Sequence, residues 1–376
     1  KISGLARLDD GKLSLFNGIY EAVEGANFAG SKAVGKASPG RFTILLGKGA
    51  DFSIMQSGIS HDTIIFEGYS RDLVNYKAGR VRITVLPHEG ARDILNGNAP
   101  ESITLRCEFD VSGKQQSVVF IQKKKIQFDD EFLIIAHRGG GRNSDMPPAS
   151  ENSIELIKLA DALGANAVEI DVRNTSDNVP ILFHDDYISN RLIKGDFLTG
   201  PIENYTFNHL QLFGKLKNGE DIPTLNDALY AIIDSTNLSM VWLDVKGPNS
   251  LPAIAKQVEF FVQYALRKSR KIEILIGIGS DEAYDVFLRE QLYLSVHSLC
   301  ELSAEKLLKI QSAYWGPSWT LGTQNSTVEE LHNKGIKSLV WTIDDRKYMQ
   351  KFMSEGRFDG IVTNYPSILA FEYYTR

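Results

Sequence analysis

The chain has little that would staple it, anchor it or tie it to nucleic acid. Its 376 residues include two cysteines, Cys107 and Cys300, almost 200 positions apart. Two cysteines so placed make neither a disulfide framework nor a metal knuckle. They read as free thiols packed as small apolar groups. No run approaches the roughly 18 apolar residues that a membrane-crossing helix needs. The longer apolar runs, such as Phe132–Ala136, have the length of strands. Positive charge is in deficit: 41 Lys and Arg stand against 47 Asp and Glu, a net charge of −6. A protein that reads a nucleic-acid backbone presents a basic face, so no nucleic-acid partner is expected. What remains is ordinary: 43% hydrophobic and 23% charged residues describe a globular protein, not a collagen or a disordered tail. The length suggests two or three domains of roughly 100–200 residues.

The two parts of the chain have different rhythms. From Arg41 to about Gln122, short alternating runs such as Phe42-Thr-Ile-Leu-Leu, Thr63-Ile-Ile-Phe and Val81-Arg-Ile-Thr-Val are separated by Gly, Asp, Asn and Pro clusters. Period-two alternation with turn punctuation predicts an antiparallel β-sandwich or barrel, taken here as a sandwich-like accessory domain over residues 1–130. Gly25, Gly30, Gly35 and Gly40 lie in an Ala- and Ser-rich stretch that reads as loops and turns. Residues 1–130 carry a net charge of +2 and residues 131–376 carry −8. Lys123-Lys124-Lys125, followed by Ile-Gln-Phe-Asp-Asp, marks the join.

After residue 130, strand-like runs alternate with helical patterns, which implies an α/β domain with a parallel sheet. The runs are Phe132–Ala136, Ala167–Val172, Val179–Phe183, Val241–Val245, Ile272–Ile276, Leu292–Val296, Ala313–Gly316, Leu339–Ile343 and Gly360–Thr363. The connection from Val172 to Val179 is too short for a parallel crossover, so that pair is a hairpin. Eight parallel strands remain, the number of a (β/α)8 TIM barrel. With Thr175–Asn178 as the hairpin loop, Asn174 pairs with Val179 and His184 falls opposite Glu169.

A barrel of this kind works at the carboxyl ends of its strands. Strand 1 ends in His137-Arg138-Gly139, strand 2 carries Glu169 and Asp171, and the hairpin return ends in His184-Asp185. Strand 3 carries Asp244 and Lys246, strand 7 Trp341, and strand 8 runs into Thr363-Asn364. Strands 4, 5 and 6 offer less, namely Ser280-Asp281, His297 and Trp315. Residues two apart on a strand share a face, so Glu169 pairs with Asp171 and Asp244 with Lys246. Three carboxylates at one mouth repel unless a cation neutralises them. An all-oxygen set favours one divalent cation, Mg²⁺ or Ca²⁺. Arg138 and Lys246 are then free to hold a phosphate. His137 and His184 can give and take protons across a leaving oxygen. Asn152 reads as a partner orienting a ligand, or as a helix N-cap. Together these groups point to phosphodiester cleavage.

The ordered set His137-Arg138-Gly139, Glu151-Asn152-Ser153, Glu169-Ile-Asp171-Val, His184-Asp185, Asp244-Val-Lys246, Trp341-Thr342 and Gly360-Ile-Val-Thr-Asn-Tyr-Pro366 resembles the glycerophosphodiester phosphodiesterase family over residues 132–376. The resemblance implies a (β/α)8 barrel, a divalent cation on Glu169, Asp171 and Asp244, and His137 and His184 as general acid and base. It implies Arg138 and Lys246 on the phosphate, Trp341 against the glycerol or leaving group, and 186–221 as an insertion over the mouth. It implies attack by a substrate glycerol hydroxyl, a cyclic phosphate, and release of sn-glycerol 3-phosphate from a small glycerophosphodiester. Asp244 stands where the family usually has Glu, and Asn364 where Asp is common. Two alternatives are a phospholipase-D-like hydrolase of lysophospholipids and a non-catalytic phosphodiester-binding module. The numbering starts at Lys1, which suits removal of a leader from a secreted, periplasmic or cell-envelope protein. The partner of the N-terminal domain is not legible.

Overall fold

A computed structural model describes residues 2–376 except 49–50, 73–76, 112, 129 and 196. Lys1, Asp129 of the join and Asp196 of the insertion therefore lie outside the described residues. By packing, the chain divides into a unit of residues 1–129, 161–164 and 366–376 and a unit of 130–160 and 165–365. The expectation was a single division near residue 130. The last helix, Pro366–Thr375, is counted with the first unit.

The first unit is built on β1 (Gly18–Glu24), β2 (Lys32–Ser38), β3 (Arg41–Leu46), β4 (Phe52–Ser60), β5 (Thr63–Asp72), β6 (Lys77–Val85), β7 (Thr104–Val111) and β8 (Lys114–Lys125). Each strand pairs antiparallel with the next, and β8 returns to β1. The domain is thus a closed barrel rather than a two-sheet sandwich. Closure leaves no open sheet edge, which an isolated β-domain must otherwise protect. Alternation works as the sequence pattern requires. Leu105, Cys107, Phe109 and Val111 of β7 point inward, as do Val81, Ile83 and Val85 of β6. The interior is filled by side chains, with the Phe16, Phe42 and Phe66 rings 4.9 to 5.4 Å apart. Strand β2 occupies a stretch read as loops. Gly35 explains the misreading: a Cβ there would lie 2.7 Å from the Phe16 carbonyl oxygen and 2.8 Å from the Tyr20 ring. A glycine inside a strand here marks close approach, not a turn.

The second unit contains β9 (Leu133–Ala136), β10 (Ala167–Asn174), β11 (Pro180–Leu182), β12 (Tyr187–Ile188), β13 (Gly200–Pro201), β14 (Met240–Val245), β15 (Glu273–Ile278), β16 (Ser298–Cys300), β17 (Tyr314–Trp315), β18 (Lys337–Val340) and β19 (Gly360–Thr363). Eight of them, β9, β10 and β14 to β19, form a closed parallel (β/α)8 barrel. Leu133, Ile135, Trp242, Leu275, Leu299, Leu339 and Val362 fill its interior. The helices between the strands are amphipathic. Leu251–Arg267, the longest, buries Ile254, Ala255, Val258 and Phe261 against the sheet side and leaves Phe260 and Leu266 exposed.

Two local expectations are corrected. The fifth barrel strand is Ser298–Cys300, not Leu292–Val296. Leu292–Leu294 forms a 3₁₀ turn in which Leu294 is 70% exposed, so that apolar run sits on the surface. A short apolar run cannot by itself be told from a turn or helix segment. The hairpin register is also shifted by one residue. Asn174 faces Pro180 and Val172 faces Leu182. Val179 belongs to the turn, where its N–H donates to Thr175 Oγ1 and its carbonyl accepts from Thr175 N. His184 therefore does not pair with Glu169. The chain leaves the ladder after Phe183, and Arg173 Nε donates to the His184 carbonyl at 3.0 Å to hold that turn.

The segment after His184 has its own small core of Leu192, Ile193, Leu198, Ile202, Leu210 and Leu216, packed with Ile181 and Phe183. Among the described residues no helix is long and apolar enough to cross a membrane.

Candidate active site

Strands β10 and β14 bring the acidic residues together. Parallel pairing sets Asp171 beside Asp244. Glu169, Asp171 and Asp244 each offer an oxygen within 4.8 Å of the others. Glu169 and Asp171 are buried, and Asp244 is half-buried. Each buried carboxylate is oriented from outside its strand. Asn152 Nδ2 donates to Asp171 Oδ2 at 2.8 Å, and Asn152 Oδ1 accepts the Asp171 N–H at 3.1 Å. Glu169 Oε2 accepts the Arg138 backbone N–H at 2.8 Å. Both donors sit at positive φ, 60° for Asn152 and 52° for Arg138, which aims them back at the strand. Glu169 Oε1 is buried with no hydrogen-bond partner.

Burial, followed by the charges of Asp171 and Asp244, holds the Glu169 carboxyl well above the usual range. Burial would raise Asp171 as well. The charges of Lys246, His184 and Arg138 outweigh it and hold that carboxyl at about 2. A buried carboxylate oxygen without a partner is costly, and a cation is the partner that satisfies it. The donors are all oxygen, which suits Mg²⁺ or Ca²⁺ better than a softer metal. The residues fit a single hard cation.

The two basic residues lie beside this cluster, but neither is idle. Lys246 Nζ is 2.6 Å from Asp244 Oδ2 and 3.0 Å from Asp171 Oδ1. Burial would lower the Lys246 ammonium; the two carboxylates reverse that and raise it. Arg138 Nη1 donates to Glu151 Oε1 at 2.8 Å, while its Nε lies 3.7 Å from Asp171 Oδ2 and makes no hydrogen bond. The expectation that both cations stand free is therefore replaced: each is already tied to a carboxylate of the site.

His137 and His184 come to the same mouth by different routes. His137 Nδ1 is 2.7 Å from Asn364 Oδ1, and Asn364 is fixed by its Nδ2 donating to Asp344 Oδ2 at 2.7 Å. His137 Nε2 faces Glu169 Oε2 at 3.8 Å. Burial, then the Arg138 charge, pushes this imidazole down to about 4. His184 Nδ1 is 2.7 Å from Asp185 Oδ1, and Arg191 grips Asp185 through Nε and Nη2 at 3.1 and 2.6 Å. Arg191 also reaches both oxygens of Glu151 through Nη1 at 3.0 and 2.9 Å. One chain of charged hydrogen bonds thus runs from Arg138 through Glu151, Arg191 and Asp185 to His184. In both histidines Nδ1 is tied and Nε2 is left for chemistry.

Trp341 follows β18, half-buried, with its indole N–H donating to the Gly316 carbonyl at 2.7 Å. Sequence reasoning missed three residues here. Arg191 lies in an irregular insertion where no periodicity points to it. Asp344 was hidden because its partner is Asn364, whose role shows only in the fold. Glu301 follows β16 and was displaced from view when the fifth strand was placed too early. His297, named after the fifth run but read as a structural or surface histidine, lies before β16 and pairs with Glu273 at 3.1 Å.

The glycerophosphoryl diester phosphodiesterase family matches residues 137–368 of this chain. A glycerophosphodiester phosphodiesterase of Caldanaerobacter subterraneus subsp. tengcongensis is 27% identical over 265 residues, which is 63% of this chain and 96% of that one. The human glycerophosphodiester phosphodiesterase 1 is 35% identical over 275 residues, 60% of this chain and 77% of that one. A solved structure of a glycerophosphodiester phosphodiesterase from Parabacteroides distasonis aligns with a TM-score of 0.51 at 26% identity, covering 64% of this chain and 96% of that one. The matched span contains all the mouth residues described above, and the chain belongs to the glycerophosphoryl diester phosphodiesterase family, as a phosphoric diester hydrolase.

Proposed function

We propose that the barrel hydrolyses glycerophosphodiesters to sn-glycerol 3-phosphate and an alcohol, using one divalent cation, Mg²⁺ or Ca²⁺, held by Glu169, Asp171 and Asp244. The observation that carries this reading is the buried, unpartnered Glu169 Oε1 in a cluster of three carboxylates, flanked by two histidines with Nε2 to spare. The names of the relatives support the substrate class. When bound, the cation supplies Lewis-acid polarisation of the phosphate oxygens.

The chain's own groups do the rest. Lys246 and Arg138 Nε present positive charge to the phosphate, where charge builds up in the transition state. One histidine takes the proton of a glycerol hydroxyl as that oxygen attacks phosphorus. The other gives a proton to the departing alcohol oxygen as its bond to phosphorus breaks. The product of this step is a cyclic phosphate. Water then opens it, with the two proton transfers reversed, to give sn-glycerol 3-phosphate. Asn364 and Asp185 hold the two imidazoles in register for these transfers.

Phosphorus NMR of glycerophosphocholine turnover tests the reading. With Mg²⁺ or Ca²⁺ present, the expected products are sn-glycerol 3-phosphate and choline. Replacing His184 by Ala should slow turnover by roughly 10²- to 10⁴-fold, the usual worth of a positioned proton-transfer group, with melting unchanged. Release of phosphocholine and glycerol, or full activity in His184→Ala, would mean that the site works in another way.

A further inference from the structure

Glu301 stands at the barrel mouth, and the reaction above does not use it. Its backbone N–H donates to the Ile278 carbonyl at 3.0 Å, so the ladder between β15 and β16 continues one residue past Cys300. Leu299 points into the barrel core, and by alternation Glu301 points into the mouth above it. Gly279 makes the room. A Cβ at that position would lie 3.0 Å from Glu301 Oε1 and 3.3 Å from its carboxyl carbon. The carboxylate therefore lies across the end of β15, on the opposite side of β14 from β10.

Among the described residues this carboxylate makes no hydrogen bond or ion pair, and the nearby Lys246 is held by Asp171 and Asp244. Burial, then the charge of Asp244, pushes its carboxyl up to about 8; a cation arriving beside it favours the charged form, so ionisation and cation binding go together. The half-buried Trp341 indole leans on Gly316 at the end of β17, the strand next to β16. This side of the mouth thus holds a carboxyl group with no cation bonded to it and an aromatic ring, the two groups that recognise alkylammonium ions.

The glycerol arm and the phosphate cannot bring positive charge to this place. The leaving alcohol can. Resting on the phosphodiesterase reading above, we propose that Glu301 is a specificity-determining residue for the leaving alcohol, favouring head groups with a cationic nitrogen, as in choline and ethanolamine, over neutral ones.

The test compares glycerophosphocholine with its neutral isostere, the 3,3-dimethylbutyl ester, in which carbon replaces nitrogen. The shape is the same and only the charge differs. The wild-type kcat/KM ratio of the two substrates is expected to favour choline by roughly tenfold or more, as for a close charge pair shielded from water. In Glu301→Gln the ratio should fall to near one. A ratio taken within one preparation does not depend on how much of the variant is folded. A wild-type ratio near one, which needs no variant, overturns the proposal. So does a Glu301→Gln ratio equal to that of the wild type. Failure of both substrates with the cation present would instead bring down the parent reading, and that outcome is distinct from either.

Discussion

The histidines show how much of this site depends on residues that never meet the substrate. His184 takes its orientation from Asp185, and Asp185 takes its own from Arg191. Replacing Asp185 by Asn keeps the shape but removes the charge that favours the Nδ1–H tautomer. By analogy with other carboxylate-oriented histidines, kcat should fall by a hundredfold or more (an order-of-magnitude figure) while KM moves little. Steady-state kinetics on glycerophosphocholine check this, and an unchanged kcat would show that Asp185 does not orient the imidazole. Asn152 plays the matching part for the carboxylates, with both ends of its amide on Asp171. In Asn152→Ala the cation affinity should weaken by roughly 10- to 100-fold. Calorimetric titration with Mg²⁺ or Ca²⁺ reads this directly, and unaltered affinity would detach Asn152 from the ligand set.

At the scale of elements, the barrel strands that carry chemistry were legible because each couples an apolar run to a polar terminus. Ala167–Val172 with Glu169 and Asp171, and Val241–Val245 with Asp244, are such cases. The fifth strand was not legible, since a surface run, Leu292–Val296, imitated it just ahead of Ser298–Cys300. The loss of Glu301 from the sequence reading follows from that displacement alone. The hairpin was recognised, but its register depended on whether Val179 joined the turn, and only the bonds between Val179 and Thr175 decide this. In the first unit, β2 was obscured by Gly35, which packs closely inside the strand. Gly68 of β5 is a further case: a Cβ there would lie 1.9 Å from the Ile54 carbonyl oxygen across the ladder. Backbone cannot yield as a flexible side chain can. Gly68→Ala should therefore cost about 1–3 kcal/mol or more of stability, read as a lower urea midpoint. An unchanged midpoint would contradict the pairing of Met55 with Gly68.

For the whole molecule, the modest net charge of −6 conceals an uneven distribution. Residues 131–376 carry −8, and part of that acidity is the carboxylate cluster at the mouth. Mutual repulsion in such a cluster opposes folding, so a bound cation should stabilise the chain. At a hundredfold excess over the dissociation constant the gain is about 2.7 kcal/mol. Melting followed against Mg²⁺ or Ca²⁺ concentration should therefore rise, and a flat profile would argue against a cation bound by the folded state alone. Turnover should depend on the cation above all. The direct measurement is the rate of sn-glycerol 3-phosphate release from glycerophosphocholine before chelation, after EDTA, and after Mg²⁺ or Ca²⁺ is restored. The expected result is loss of activity to background with EDTA and recovery on addition of the metal, with one equivalent bound per chain. Full turnover in the presence of EDTA would contradict it.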